Sequence, residues 1–336
     1  YGQIALKAVL PALLYFTGIF IAVHLEAKKL GLRGLPREEL PKLLPLLKKS
    51  YLLLPLALLI YLVGTSQKSI QYAAALSIVA CVFVTLFSRE TRITPMRILE
   101  ALAAGGQGSI TVAAACGIAG IIAGTITMTG LANVIINGIV VLAGNSVLIA
   151  LFLTMICCIV LGMGVPTTAT YCIMAATCAP ILVRMGVPLV AAHFFVFYFG
   201  IVADLTPPVA LAAYAGAAIA QANPMKTALE STKLAIGAFI VPYAFALSPS
   251  MLLIDTTAAE VILIVITSLV GIASVSAAME GYLIGELSWP RRALALVGGL
   301  MMIYPGTVTD VIGLALSGLV VVLCLADKKK AAPAAA

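Results

Sequence analysis

The sequence predicts an all-α polytopic membrane protein, and three observations carry the prediction. Of 336 residues, 62% are hydrophobic and only 10% charged, with a mean hydropathy of +1.16; a soluble domain is about 45–50% apolar and about 25% charged. The apolar residues gather in long, continuous runs near the ~20 residues of a crossing helix, far too long for barrel strands. The net charge of +7 sits mainly in short loops between those runs, which is how polytopic membrane proteins fix their orientation. A water-soluble enzyme, a disordered tail and a nucleic-acid-binding module are excluded at this step. With connections, the chain has room for about ten crossings of the bilayer.

Taken in order, residues 1–25 form a first crossing, with the apolar run from Ile4 to Leu25. The chain starts at Tyr1 with no signal peptide in view, so a further segment upstream is expected. Residues 26–50 are basic and leucine-rich, broken by Pro36, Pro41 and Pro45. They read either as an amphipathic segment on the cytoplasmic membrane surface or as an ordinary positive-inside loop. Residues 51–100 hold two crossings, Tyr51–Gly64 and Ile70–Phe87, and a second basic loop with Arg89, Arg92 and Arg97. Two basic loops an even number of crossings apart agree on which side is inside.

From residue 101 to 225 charge almost vanishes, and Gly, Ala, Ser and Thr become dense. The Gly120-x-x-x-Gly124 spacing suits close helix packing, although small-residue spacing is common in any bundle. Residues 226–326 hold crossings over Ile236–Leu247 and Ala258–Ala278, then an apolar stretch, Ala293–Ala326, interrupted at Pro305-Gly306. That stretch is either a bent pair or one long crossing; a bent pair puts Arg291 and Arg292 on the side of the cytoplasmic tail, 327–336.

Two breaks in this apolar chain carry chemistry. The first is Leu161-Gly162-Met163-Gly164-Val165-Pro166-Thr167-Thr168-Ala169-Thr170, flanked by the short runs Ser146–Val160 and Tyr171–Val183. Glycines end one helix and Pro166 starts the next, which predicts a re-entrant hairpin over 146–185; the alternative is a plain extramembrane turn. Carbonyls of Gly162 and Gly164 with the hydroxyls of Thr167, Thr168 and Thr170 suit a hard cation. The helix start at Pro166 favours a carboxylate.

The second break, Ala203-Asp204-Leu205-Thr206-Pro207-Pro208, interrupts a helix over 189–220. Pro207 and Pro208 remove two backbone donors, so carbonyls of the preceding turn are expected to be free. Asp204 is an acid in a nearly uncharged stretch, and intramembrane acids are costly and usually functional. With Thr206 it forms an oxygen-rich group for sodium or a proton; the alternative is Asp204 capping the next helix at an interface. Two successive broken helices form the pattern of a secondary-transporter site, normally present twice in inverted repeats. One convincing copy is found here, so the chain reads as half of such a repeat.

Other chemistries fit less well. His24 and His193 are the only histidines, and neither accompanies a serine-nucleophile motif. Asp204 and Asp310 lack the contexts of an intramembrane aspartyl protease, and no channel filter is visible. The seven cysteines lie within apolar segments without zinc spacing and read as packing residues. No enzyme activity and no cofactor are expected. A non-transporting membrane scaffold or assembly subunit remains the alternative from another class.

The two breaks, Leu161 to Tyr171 and Ala203 to Ala210, resemble the large membrane subunit of tripartite ATP-independent periplasmic (TRAP) transporters, most closely the fused permeases. The Gly106–Ile110 run and the His24–Leu32 segment are similar to the same group, and the resemblance covers roughly Tyr1 to Leu253. It implies an elevator-type importer of organic acids in a bacterial or archaeal inner membrane. It also implies sodium as coupling ion and a periplasmic substrate-binding protein of the TAXI type as partner. On this chain it makes Gly162–Thr168 the tip of the second hairpin and Asp204–Pro208 the unwound stretch facing it. The sodium candidates are Gly162, Thr167, Asp204 and Thr206. Gly108 and Ser109, in the Gly108–Thr111 run, would border the transport domain, and the 51–100 helices would belong to the scaffold. The family's first hairpin and its small-subunit-like region are not found in these residues, so the chain resembles the C-terminal half of a permease and is expected not to transport alone.

Overall fold

The computed structural model describes residues 1–36, 38–40, 42–65, 69–86 and 92–331, with 45, 111 and 328–331 described in backbone only. Arg37, Pro41, the 66–68 turn and Arg89 lie outside the described residues, as do the side chains of the tail lysines. The elements among the described residues are helical, apart from one isolated bridge between Tyr282 and Glu286. Among the described residues, four helices are long and apolar enough to cross a membrane: Gly2–Lys29, Pro95–Met128, Ala258–Glu280 and Thr307–Asp327. Six shorter apolar helices accompany them, so the expected set of some ten full crossings is in part a set of half-length helices.

The helices divide into two compact units, Tyr1–Val9 with Arg33–Val112, and Leu10–Leu32 with Ala113–Ala336. Helix α1 (Gly2–Lys29) contributes to both. The first unit continues through α2 (Leu43–Lys48), a 3-10 turn (Ser50–Leu53), α3 (Leu54–Thr65) and α4 (Ile70–Thr85), and it takes the start of α5 (Pro95–Met128). Helix α3 packs on α4, whose N-cap Ser69 accepts from Tyr72 N. The Gly106–Ile110 run lies inside α5 rather than at a break.

The second unit holds α6 (Leu131–Ala143), α7 (Val147–Gly162), α8 (Thr167–Thr177), α9 (Ala179–Arg184), α10 (Leu189–Val202) and α11 (Leu211–Ala220). It ends with α12 (Pro224–Leu234), α13 (Ile236–Leu247), α14 (Ala258–Glu280), α15 (Trp289–Met301) and α16 (Thr307–Ala331). Local chemistry sets several starts. Ser146 accepts from Ile149 N, Asn223 from Lys226 N ahead of Pro224, and Thr257 with Glu260 completes a capping box.

Helix α10 is the centre of this unit and packs against α7, α8, α9 and α13. It is apolar on all sides, as a buried helix must be. Phe195 and Phe199 are fully buried and meet Tyr243 of α13 edge-on, while Phe245 is equally buried beside Phe194 and Tyr198. Such aromatic pairs add about 0.5–1.5 kcal/mol each beyond their buried area.

The C-terminal stretch is a hairpin, which excludes the single long crossing. Arg291 at the start of α15 donates to Asp327 near the end of α16 at 2.5 Å. A Cβ at Gly120 or Gly124, in contrast, would meet nothing within 4 Å among the described residues. Spacing alone does not say which small residues are pressed, and the tight approaches lie elsewhere. A Cβ at Gly299 would stand 2.7 Å from Gly271 O and 2.7 Å from Val275 Cγ2, so α14 and α15 touch through their backbones. Gly299→Val is therefore expected to destabilise the chain by at least the ~1–3 kcal/mol of a typical overpacking change. Thermal unfolding in detergent checks this, with Gly120→Val near wild type as the control.

Candidate functional site

The first break is a hairpin tip. Helix α7 ends at Gly162, and Met163-Gly164-Val165-Pro166 turn the chain into α8. Gly164 takes φ +73°, a left-handed conformation open to glycine at little cost. The turn is held by Thr170, whose hydroxyl donates to Val165 O at 3.0 Å while its amide donates to Pro166 O at 3.0 Å. Thr170 is buried and engaged in this way; Thr167 and Thr168 are exposed and make no side-chain hydrogen bond among the described residues. The amides of Thr167, Thr168 and Ala169 are the open N-terminal donors of α8. The Gly162 carbonyl accepts from Val165 N at 3.4 Å, and those of Met163 and Gly164 have no hydrogen-bond partner among the described residues.

Residues 146–185, expected as one hairpin of two helices, hold three, α7, α8 and α9. The second arm divides at Cys178, where Pro180 enters the first turn of α9. Arg184, one of the rare charges here, donates to Asn137 of α6 at 2.6 Å. His193 is half-buried, with Nδ1 3.0 Å from the Tyr171 hydroxyl.

The second break separates α10 from α11 through residues 203–210, with a cis peptide bond between Pro207 and Pro208 and Ala210 at φ +35°. The expectation of free carbonyls is not met: every carbonyl from Ile201 to Thr206 accepts a hydrogen bond. Asp204 O accepts from Ala212 N at 3.1 Å, Leu205 O from Thr232 Oγ1 at 3.1 Å, and Pro208 O from Tyr214 Oη at 2.6 Å. A buried carbonyl without a donor is costly, and the surrounding elements supply donors that the two prolines cannot. The Thr206 hydroxyl donates to Val202 O at 2.8 Å and keeps its lone pairs. Asp204 is half-buried, and its carboxylate has neither a hydrogen bond nor an ion pair among the described residues.

The structure brings the two breaks together. A Cβ at Gly162 would lie 2.9 Å from Ala203 Cβ, 3.2 Å from Gly200 O and 3.2 Å from Met174 Cε. One at Gly200 would lie 3.1 Å from Thr170 Cγ2, and one at Gly164 would lie 3.7 Å from Val209 Cγ1. The end of α7, the start of α8 and the end of α10 therefore meet at small residues, with the turn of each break near the other. Helix α5 closes one side, where Ala119 packs with Ala169 and Ile173. The candidates Gly108 and Ser109 belong to the other unit; both are exposed, and Ser109 donates to Gly105 O at 2.8 Å.

Four residues that the sequence reading missed support this site: Met174, Gly200, Tyr214 and Thr232. Only Tyr214, six positions beyond Pro208, had any local signal. An open apolar groove of about 620 Å³ lies elsewhere, lined by residues such as Phe152, Phe239 and Tyr304 and by none from the two breaks.

Chemically, the arrangement offers open amides at a helix start, the hydroxyls of Thr167, Thr168 and Thr206, the carbonyls of Met163 and Gly164, and a carboxylate unpaired among the described residues. Helix-start amides attract carboxylates, and oxygen groups suit a hard cation. No group of three or more His, Cys, Asp or Glu residues that could hold a metal occurs among the described residues. Comparison with known families finds that residues 1–260 match the family described as "Tripartite ATP-independent periplasmic transporter, DctM component". No curated protein and no solved structure matches the chain.

Proposed function

Because the chain belongs to the DctM component of the tripartite ATP-independent periplasmic transporters, we propose that it imports organic acids as the permease part of a sodium-driven secondary transporter. The observation that carries this is the pairing of the two breaks, with Gly162 against Ala203 and the unpaired Asp204 next along the chain. In the proposed division of labour, the α8 amides and the Thr167 and Thr168 hydroxyls take the substrate carboxylate. Asp204, Thr206 and the hairpin-tip carbonyls of Gly162 and Gly164 take sodium, while Pro166, Pro207 and Pro208 set the breaks. Thr170 holds the turn.

The substrate would arrive on a periplasmic binding protein of the TAXI type, at the inner membrane of a bacterium or archaeon. A second hairpin-and-break pair and a small-subunit-like region would complete the permease, and the pair would move as an elevator against the remaining helices. Accordingly, the 336-residue chain is expected to insert in membranes but not to drive uptake alone.

The test is uptake of labelled organic acids into liposomes containing the chain together with the rest of its permease, with the binding protein added outside. At least one acid is expected to enter only with an inward sodium gradient. Uptake that follows a proton gradient and ignores sodium overturns the choice of ion. Failure of every acid overturns transport and leaves a scaffold.

A further inference from the structure

A second polar cluster of the same unit lies where three helices end. Glu26 comes from the last turns of α1, Lys233 from the last turn of α12, and Glu280 is the final residue of α14. Lys233 Nζ stands 2.6 Å from Glu280 Oε2, 3.3 Å from Glu230 Oε2 and 3.6 Å from Glu26 Oε2, and Lys29 Nζ stands 3.4 Å from Glu26 Oε2. The Glu280 side chain is 0% exposed, against 20% for Glu26. Close packing fixes the site, because Gly18 of α1 lies against Gly237 of α13 and Ile272 of α14.

The charges do not balance around Glu280. Its Oε1 has no hydrogen-bond donor, and its carboxyl group shares the single Lys233 ammonium with that of Glu26, at 2.6 Å and 3.6 Å. Two ionised carboxylates on one ammonium repel, and neither can donate to the other. A helix C-terminus adds further negative potential at Glu280. Arg292 of α15, the nearby cation, is engaged elsewhere: it donates to Ala278 O at 2.7 Å and Met279 O at 3.1 Å, and its guanidinium stacks on Trp289. Lys29 is partly exposed and faces Glu26, while Lys233 must serve Glu26, Glu230 and Glu280 together.

We propose that Glu26 and Glu280 bind one proton between them at neutral pH, forming a proton site that joins α1 to α14 and is distinct from the two breaks. The bound proton turns a repulsive pair into a carboxyl–carboxylate hydrogen bond, and Lys233 neutralises the remaining charge. Burial alone would lower the Lys233 pKa, but Glu280 and Glu230 override it and raise it, so the ammonium stays charged. No step of the proposed import uses this site, so it stands or falls independently of that function.

Infrared difference spectra of the purified chain in lipid at neutral pH provide the test. Wild type minus E280Q and wild type minus E26Q are each expected to show the loss of one protonated-carboxyl C=O band. Either substitution leaves the surviving Glu alone with Lys233 and therefore ionised. The proposal is overturned if no such band is lost in either difference. It is equally overturned if E26Q keeps the full band, since Glu280 would then be neutral by burial without sharing. Glu26 is the more exposed partner, so E26Q keeps the test open should E280Q fail to fold.

Discussion

Gly162→Val is expected to separate the hairpin from α10 and to abolish uptake by the assembled transporter. The position has no room: the first added carbon would meet Ala203 Cβ at 2.9 Å and Gly200 O at 3.2 Å. One of these is backbone and the other is a side chain with no rotamer to change, so relief requires the helices to move apart. Gly162→Ala already carries that clash and is expected to cost about 1–3 kcal/mol. Where binding depends on both breaks, that cost corresponds to a loss of roughly 5- to 150-fold. Adding Ala203→Gly removes the closest contact but leaves Gly200 O, so the double variant is expected to recover stability only in part. Thermal unfolding and uptake measured on the same preparations check this, and wild-type values for Gly162→Val would exclude the described contact.

Asp204→Asn is expected to move function and stability in different directions. Asn keeps the shape and removes the charge. The Asp204 carboxylate is half-buried and unpaired among the described residues, so neutralising it leaves no stranded partner. Unfolding of the variant should therefore occur at or above the wild-type temperature. Sodium should stabilise wild type relative to potassium at equal ionic strength, by about 2.7 kcal/mol when sodium is a hundredfold above its dissociation constant. In the variant that sodium-specific shift should disappear. A loss of stability without any change in the sodium shift would make Asp204 a structural residue and remove it from the cation site.

The two breaks were legible because Gly and Pro act through backbone rules that need no knowledge of neighbours. Gly162, Gly164 and Pro166 end one helix and start another wherever they occur, and the ends of α10 and α13 agree with the expected runs. What occupies the freed backbone groups was not legible, because the donors come from afar. Thr232 reaches Leu205 from 27 residues away, and Ala212 bonds back across the break. The packing faces were equally hidden: Gly120 and Gly124 have the spacing of an interface, yet a Cβ at either would meet nothing within 4 Å among the described residues, while Gly162 and Gly200, on different helices, share Met174 as a neighbour. Glu26, Lys233 and Glu280 lie far apart in the sequence, and only the fold brings them together.

Sodium-gradient uptake by wild type and Asp204→Asn, side by side in liposomes with the complete permease and its binding protein, tests the central claim most directly. The two breaks as one cation-coupled carboxylate site predict gradient-driven uptake in wild type and a fall to the gradient-free background in the variant. Equal responses of the two proteins to the sodium gradient would contradict it.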